Sequence, residues 1–350
     1  MQDHSPGAAA ATLADRPFAS APMSLLPTLA DIESAARTVY AAMPPTPQYA
    51  WPLLARRLGT ETWVKHENHT PTGAFKVRGG LVYVEGLKAA DPGCPGIVSA
   101  TRGNHGQSLA FAARRHGVAA TIVVPRGNSV EKNAAMRAFG AELVEHGDDF
   151  QDASEHAGRL ALERGLHRVP SFHPDLVRGV ATGWLEFFRA VPDLDLVFVP
   201  IGLGSGLCGA IAARAALGAR MRLVGVVSAH ARAYALSIAA HRPIASPVST
   251  RLADGMAVRV PDERALAILC DGVDEVVEVD DDEVARAMKA MYVDTHNVAE
   301  GAGAASLAAA MKLARERPAA IAGRRLGLTL CGANVDHGMF AQVLSDTELD

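Results

Sequence analysis

Gly96-Ile97-Val98-Ser99-Ala100-Thr101-Arg102-Gly103-Asn104-His105-Gly106-Gln107-Ser108 is the stretch that decides the fold. Its first five residues form a short β-branched run that reads as a strand. A loop of small polar residues follows, and a helix is expected from about Gly106 to Arg115. The same alternation recurs along the chain. Strands are expected over Ala120–Pro125, Leu194–Pro200, Arg222–Ser228, Glu275–Val279 and Leu326–Cys331, with helices over Glu131–Phe139 and Cys208–Leu217. Such alternation predicts an α/β protein with parallel sheets flanked by helices. Ligands in these folds collect at the carboxyl ends of strands, where loops meet helix N-termini.

Composition narrows the function classes. The chain has 350 residues, 49% hydrophobic and 21% charged, with a net charge of −4, which allows a sizeable core. No basic face for nucleic acid is implied, and no run of apolar residues long enough for a membrane span is present. Cys94, Cys208, Cys270 and Cys331 lack CxxC spacing, so neither a metal cage nor a disulfide framework is expected. A cytoplasmic setting fits. Residues 1–25, rich in Ala, Pro and Ser, lack the basic start and apolar run of a secretory signal and read as a mobile arm.

Four loops carry candidate chemistry. In the first, Thr70-Pro71-Thr72-Gly73-Ala74-Phe75-Lys76-Val77-Arg78-Gly79, Lys76 is flanked by apolar residues. Partial burial would disfavour its ammonium form, the state a Schiff-base lysine must leave; an exposed helix start is the plainer alternative. In the second, Thr101 to His105 offers backbone amides and a hydroxyl at a helix N-terminus, suited to a carboxylate, although a capped turn would look alike. The third, Gly202-Leu203-Gly204-Ser205-Gly206-Leu207-Cys208-Gly209, contains a literal GxGxxG. The following strand, ending at Ser228, lacks the acidic residue a dinucleotide ribose requires, so a single phosphate is the better ligand. In the fourth, Cys331 follows a strand and is either a small core residue or a weak hydrogen-bond partner for a heterocyclic nitrogen.

Together and in this order, the four loops resemble those of fold-type-II pyridoxal-phosphate enzymes, the threonine/serine dehydratase and serine racemase group. The similarity runs from about Ala30 to Leu344. It implies a two-domain, tryptophan synthase β-like architecture: a large cofactor-binding domain of residues 26–91 and 171–350, and a small domain of residues 92–170 inserted in it. The cofactor would be pyridoxal 5'-phosphate, in Schiff-base linkage to the catalytic Lys76, with Phe75 against its ring and Asn104 on its phenolic oxygen. Gly202, Gly204, Ser205, Gly206 and Leu207 would hold its phosphate, and Cys331 would face its ring nitrogen. Glu300 matches a family carboxylate near the cofactor, and as a residue type also fits a helix N-terminal charge. Thr101, Arg102, Gly103, Asn104 and His105 would line the substrate site.

The activity implied is elimination from a β-hydroxy-amino acid such as L-threonine, L-serine, a phenylserine or 3-hydroxyaspartate, giving a 2-keto acid and ammonia. A β-replacement synthase, a racemase or a non-catalytic cofactor-binding protein are the alternatives. A homodimer is implied by the resemblance alone. Arg102 stands where racemases of the group carry a serine; a permanently charged guanidinium is a poor proton shuttle, which counts against racemisation. It would pair with a second substrate carboxylate or enter a structural ion pair. The run after Ser228 has no carboxylate, so the cation site of some relatives is not expected, and His230 and His241 read as surface residues. About twenty residues follow the cysteine strand, so no regulatory domain is expected.

Overall fold

The run Leu326–Leu330 carries no charge and every residue in it is buried. Only a central strand covered on both faces accommodates such a sequence. In the computed structural model, which describes residues 26–346 and 348, this strand lies within a six-stranded sheet. The arm expected over residues 1–25 lies outside the described residues.

Along the chain the strands are β1 (Gln48–Ala50), β2 (Thr62–His66), β3 (Ile97–Ala100), β4 (Ala120–Val124), β5 (Glu142–Glu145), β6 (His167–Arg168), β7 (Leu196–Pro200), β8 (Arg222–Ser228), β9 (Glu275–Val279) and β10 (Leu326–Leu330). The larger sheet has the order β1-β2-β10-β7-β8-β9 and the smaller β5-β4-β3-β6. All pairs are parallel except β1 with β2, where three residues of β1 form an antiparallel edge. The smaller sheet draws all its strands from Ile97 to Arg168, between β2 and β7 of the larger.

Helices pack on these sheets in the order α1 (Leu29–Tyr40), α2 (Pro52–Leu58), α3 (Lys76–Ala90), α4 (Asn104–Arg115), α5 (Val130–Ala138), α6 (Phe150–Arg164) and α7 (Pro174–Ala190). They continue with α8 (Ser205–Leu217), α9 (Ala233–Ala240), α10 (Glu263–Gly272), α11 (Asp281–Thr295), α12 (Gly301–Glu316) and α13 (His337–Asp346). Helix α12 is rich in alanine and buried over most of its length, because small side chains let it lie close against β7 and β10. None of the helices among the described residues is long and apolar enough to cross a membrane.

The strands expected from the β-branched runs are present within two residues of their expected ends. Two helices start two or more residues earlier than expected: α4 at Asn104 and α8 at Ser205. Both hold internal glycines that serve close packing. A Cβ on Gly106 would sit 2.5 Å from Met136 Sδ, and one on Gly209 3.0 Å from Val180 Cγ1. Tertiary contact outweighs the helix penalty of glycine there.

Candidate active site

Strands β2, β10 and β7 are neighbours and run parallel, so their carboxyl ends open on one edge of the larger sheet. Three of the four candidate loops leave from that edge, and the fourth leaves the carboxyl end of β3 in the smaller sheet.

After β2 the chain turns at Thr70–Gly73. Thr70 Oγ1 accepts the Ala74 amide at 3.0 Å and the Gly73 N–H donates to Thr70 O at 3.0 Å, with Gly73 in the left-handed region at φ +67°. The turn is pinned to the end of β10: Phe75 N–H donates to the Cys331 carbonyl at 3.0 Å and Ala333 N–H to the Gly73 carbonyl at 2.9 Å. Lys76 therefore opens α3 beside Cys331, its Nζ 5.0 Å from the centre of the Phe75 ring. It is a helix start, as the plainer reading has it, but not an exposed one. Burial pushes its amine below the ordinary lysine range, and the nearby Cys331 and Glu300 only partly oppose this. Cys331 is buried, its Sγ 3.4 Å from the Ala302 carbonyl. Burial pushes the thiol well up, so it is neutral.

Beyond β7, Gly204 caps α8 in the left-handed region at φ +98°. No side chain caps the helix and no acidic residue lies in its first turn, so its amides present an uncompensated positive end. Ser205 and Leu207 are buried in this turn. The bulky Leu203 is accommodated with its carbonyl accepting the Tyr234 hydroxyl at 3.0 Å, while the same hydroxyl accepts the Asp262 amide at 3.1 Å.

At the end of β3, Thr101 Oγ1 accepts the Gly103 amide at 3.0 Å. The hydroxyl is thus spent outside the helix, and α4 begins without a side-chain cap, unlike the capped turn that the sequence alone allowed. Asn104 Nδ2 donates to Glu300 Oε1 at 2.6 Å. His105 donates to the Pro170 carbonyl and leaves a buried Nε2 without a partner; burial and then the Lys76 charge lower it to about 3, so the ring is neutral. Arg102 is exposed and, among the described residues, has no hydrogen bond or ion pair. It lies near Asp149, whose carboxyl is held low first by the Asp152 amide, with the Arg259 and Arg102 charges adding.

Glu300 stands where its helix-terminal reading places it. It precedes α12 at the cap position without making a capping bond, and its buried carboxylate bridges Asn104 and Lys132, the latter at 3.5 Å. Burial raises it above the usual carboxylate range and Lys132 only partly offsets this. Lys132 also binds Asp254 at 2.7 Å, joining α5 on the smaller sheet to the turn Asp254–Met256 beside the larger. Sequence reasoning missed Lys132, Asp254, Tyr234 and Asn334. Lys132 sits in a polar helix start indistinguishable from a surface one, and no local signal marks the others.

The arrangement suits a phosphorylated pyridine aldehyde. Phe75, Pro200, Gly206, Thr329 and Cys331 line one small pocket, with Lys65, Glu67, Val180 and Trp184 on its other side. A Cβ on Gly206 would meet only ordinary contacts, the nearest being Phe75 Cζ at 3.7 Å, so glycine there preserves space rather than relieving a clash. Unpartnered helix amides, a desolvated amine and a neutral thiol border one region. The sequence matches the model for pyridoxal-phosphate dependent enzymes over residues 39–332.

The chain belongs to the pyridoxal-phosphate dependent enzymes. Among proteins of that family it is 33% identical over 324 residues to the biosynthetic L-threonine dehydratase of Salmonella typhimurium, covering 91% of this chain and 62% of the relative. It is 29% identical over 325 residues to the L-threo-3-hydroxyaspartate ammonia-lyase of Saccharomyces cerevisiae, covering 93% and 98%. The processed form of threonine deaminase isoform 2 from Solanum lycopersicum superposes with a TM-score of 0.82 at 26% identity, covering 92% of this chain and 94% of that one. The chain spans about three-fifths of the length of the biosynthetic dehydratase it matches.

Proposed function

We propose that the chain is an ammonia-lyase of the dehydratase type, converting a β-hydroxy-amino acid to a 2-keto acid and ammonia. The observation that carries this reading is the closeness of Lys76, its amine pushed down by burial, to the neutral thiol of Cys331, the two brought together by the Phe75–Cys331 backbone bond. When bound, pyridoxal phosphate supplies the carbonyl that takes the substrate amine and the conjugated ring that accepts the electron pair left on Cα.

The chain's own residues supply the rest. Lys76 Nζ, its charged form disfavoured by burial, is the base that would remove the Cα proton. The Cys331 thiol is neutral and its S–H is directed to the Ala302 carbonyl, so it would bring no charge to a ring nitrogen and would not hold that nitrogen protonated, a setting that would favour loss of the β-hydroxyl over reprotonation. The amides at the start of α8 would hold the phosphate, with Phe75 beside the ring. Thr101, Gly103, Asn104 and His105 would line the substrate carboxylate, met by N–H and O–H groups other than the neutral His105 ring, whose one N–H goes to the Pro170 carbonyl. In the net reaction the amino acid yields one keto acid and one ammonia, the water lost with the β-hydroxyl being regained on hydrolysis.

Arg102 favours a dicarboxylic substrate as a second reading. It is uncommitted to any ion pair among the described residues, and the yeast relative is an L-threo-3-hydroxyaspartate ammonia-lyase. A substrate panel scored for ammonia and keto acid tests the proposal. Keto acid without thiol adduct formation supports elimination; a thioether product on adding thiol supports replacement, and cofactor absorbance without turnover overturns the enzymatic reading.

A further inference from the structure

We propose that Asn334 is a positioning residue that acts through Asn104, fixing which face of that amide meets the cofactor's phenolic oxygen. The inference rests on the reading of the site given above and concerns a residue for which the sequence offered no role.

Asn334 follows the cysteine strand by three residues. Its Nδ2 donates two hydrogen bonds, to the Thr72 carbonyl at 2.8 Å and to Asn104 Oδ1 at 2.8 Å. The first bond ties it to the turn that delivers Lys76. The fit there is close: a Cβ on Gly73 would lie 2.7 Å from Asn334 Oδ1. The second bond determines the Asn104 amide. That amide donates one hydrogen to Glu300 Oε1 at 2.6 Å and accepts one from Asn334. Reversing it would set its oxygen against the Glu300 carboxylate and its NH₂ against the Asn334 NH₂, two repulsive contacts in a part-buried setting. With both partners in place, one orientation survives, and the second Nδ2 hydrogen of Asn104 is the group left for the cofactor.

An N–H donated to the phenolic oxygen favours its ionised form. The ratio of visible to near-ultraviolet absorbance in the resting holoenzyme reports that ionisation without any turnover. Asn334→Asp is nearly isosteric but accepts only, so it repels both Asn104 Oδ1 and the Thr72 carbonyl and removes the constraint.

The experiment compares holoenzyme spectra of the wild type, Asn104→Ala, Asn334→Asp and the double variant, with thermal midpoints confirming the fold. The expected result is a lowered absorbance ratio in both single variants, no further change in the double variant, and a loss of about tenfold in kcat/KM for Asn334→Asp. A wild-type ratio in Asn334→Asp beside a lowered one in Asn104→Ala overturns the proposal and leaves the cofactor contact standing. An additive change in the double variant overturns it as well, because Asn334 would then act by another route. No change in Asn104→Ala overturns both the proposal and the cofactor contact. Should Asn334→Asp fail to fold, Asn334→Ala carries the same comparison at smaller amplitude.

Discussion

Arg78 and Glu186 meet beneath the start of α3 in a two-armed ion pair, Nη1 to Oε1 at 2.7 Å and Nη2 to Oε2 at 2.9 Å. Arg78 lies two residues beyond Lys76 and is fully buried. It also binds Glu67 Oε2 at 2.7 Å, and Glu186 binds Lys65 at 2.6 Å. Burial works against the charge of Glu67, but Arg78 and Lys65 overcome it and hold the carboxyl below its usual range. Two positive and two negative side chains thus balance beneath Lys76, each committed to the others.

Breaking that balance should be costly. Glu186→Gln keeps the shape of the side chain but leaves Lys65 and Arg78 short of one negative charge. A loss of about 3–5 kcal/mol is expected, as for other buried pairs deprived of one partner. Urea unfolding followed by circular dichroism measures it; a change below about 1 kcal/mol would mean the cluster is solvated.

Acid should weaken the fold through His66. Its ring is buried, accepts the Trp51 indole N–H at 3.0 Å and stacks on His69 at 5.1 Å. Burial, with the His69 charge adding, lowers it to about 4. A pKa depressed in the folded state gives stability that is present above the unfolded value of roughly 6.5 and lost as pH falls toward the folded one. Between pH 7 and pH 5 this group accounts for about 2 kcal/mol. His66→Gln, which retains an acceptor for Trp51, should lose that much less over the same interval. Equal losses in the two proteins would rule the group out. His105 adds a parallel loss that both share.

Substrate choice is tested at Arg102. Should its guanidinium read a distal carboxylate, Arg102→Ala should lose about tenfold or more in kcat/KM on 3-hydroxyaspartate. Activity on threonine should change by less than about threefold over the same comparison. Equal losses on both substrates would reject the role.

The four loops were legible in the sequence because each combines a strand end with residues unusual in an ordinary turn, and because their chemistry is local. Lys76, Cys331 and the 202–207 turn come to one edge because β2, β10 and β7 are adjacent, a fact of strand order that no local pattern reveals. Strand β2 itself was missed. Its Lys65 looks like a surface residue, and the charge that offsets its burial comes from Glu186, 121 positions away. Lys132, Tyr234 and Asn334 were missed for the same reason: each acts through partners distant in sequence, as Asn334 does on Asn104, 230 residues earlier.

The central claim is that Lys76 carries the cofactor. Borohydride treatment of the holoenzyme, followed by proteolysis and mass spectrometry, should place the reduced pyridoxyl group on the peptide containing Lys76. Finding it on Lys65, Lys132 or any other lysine would contradict the account.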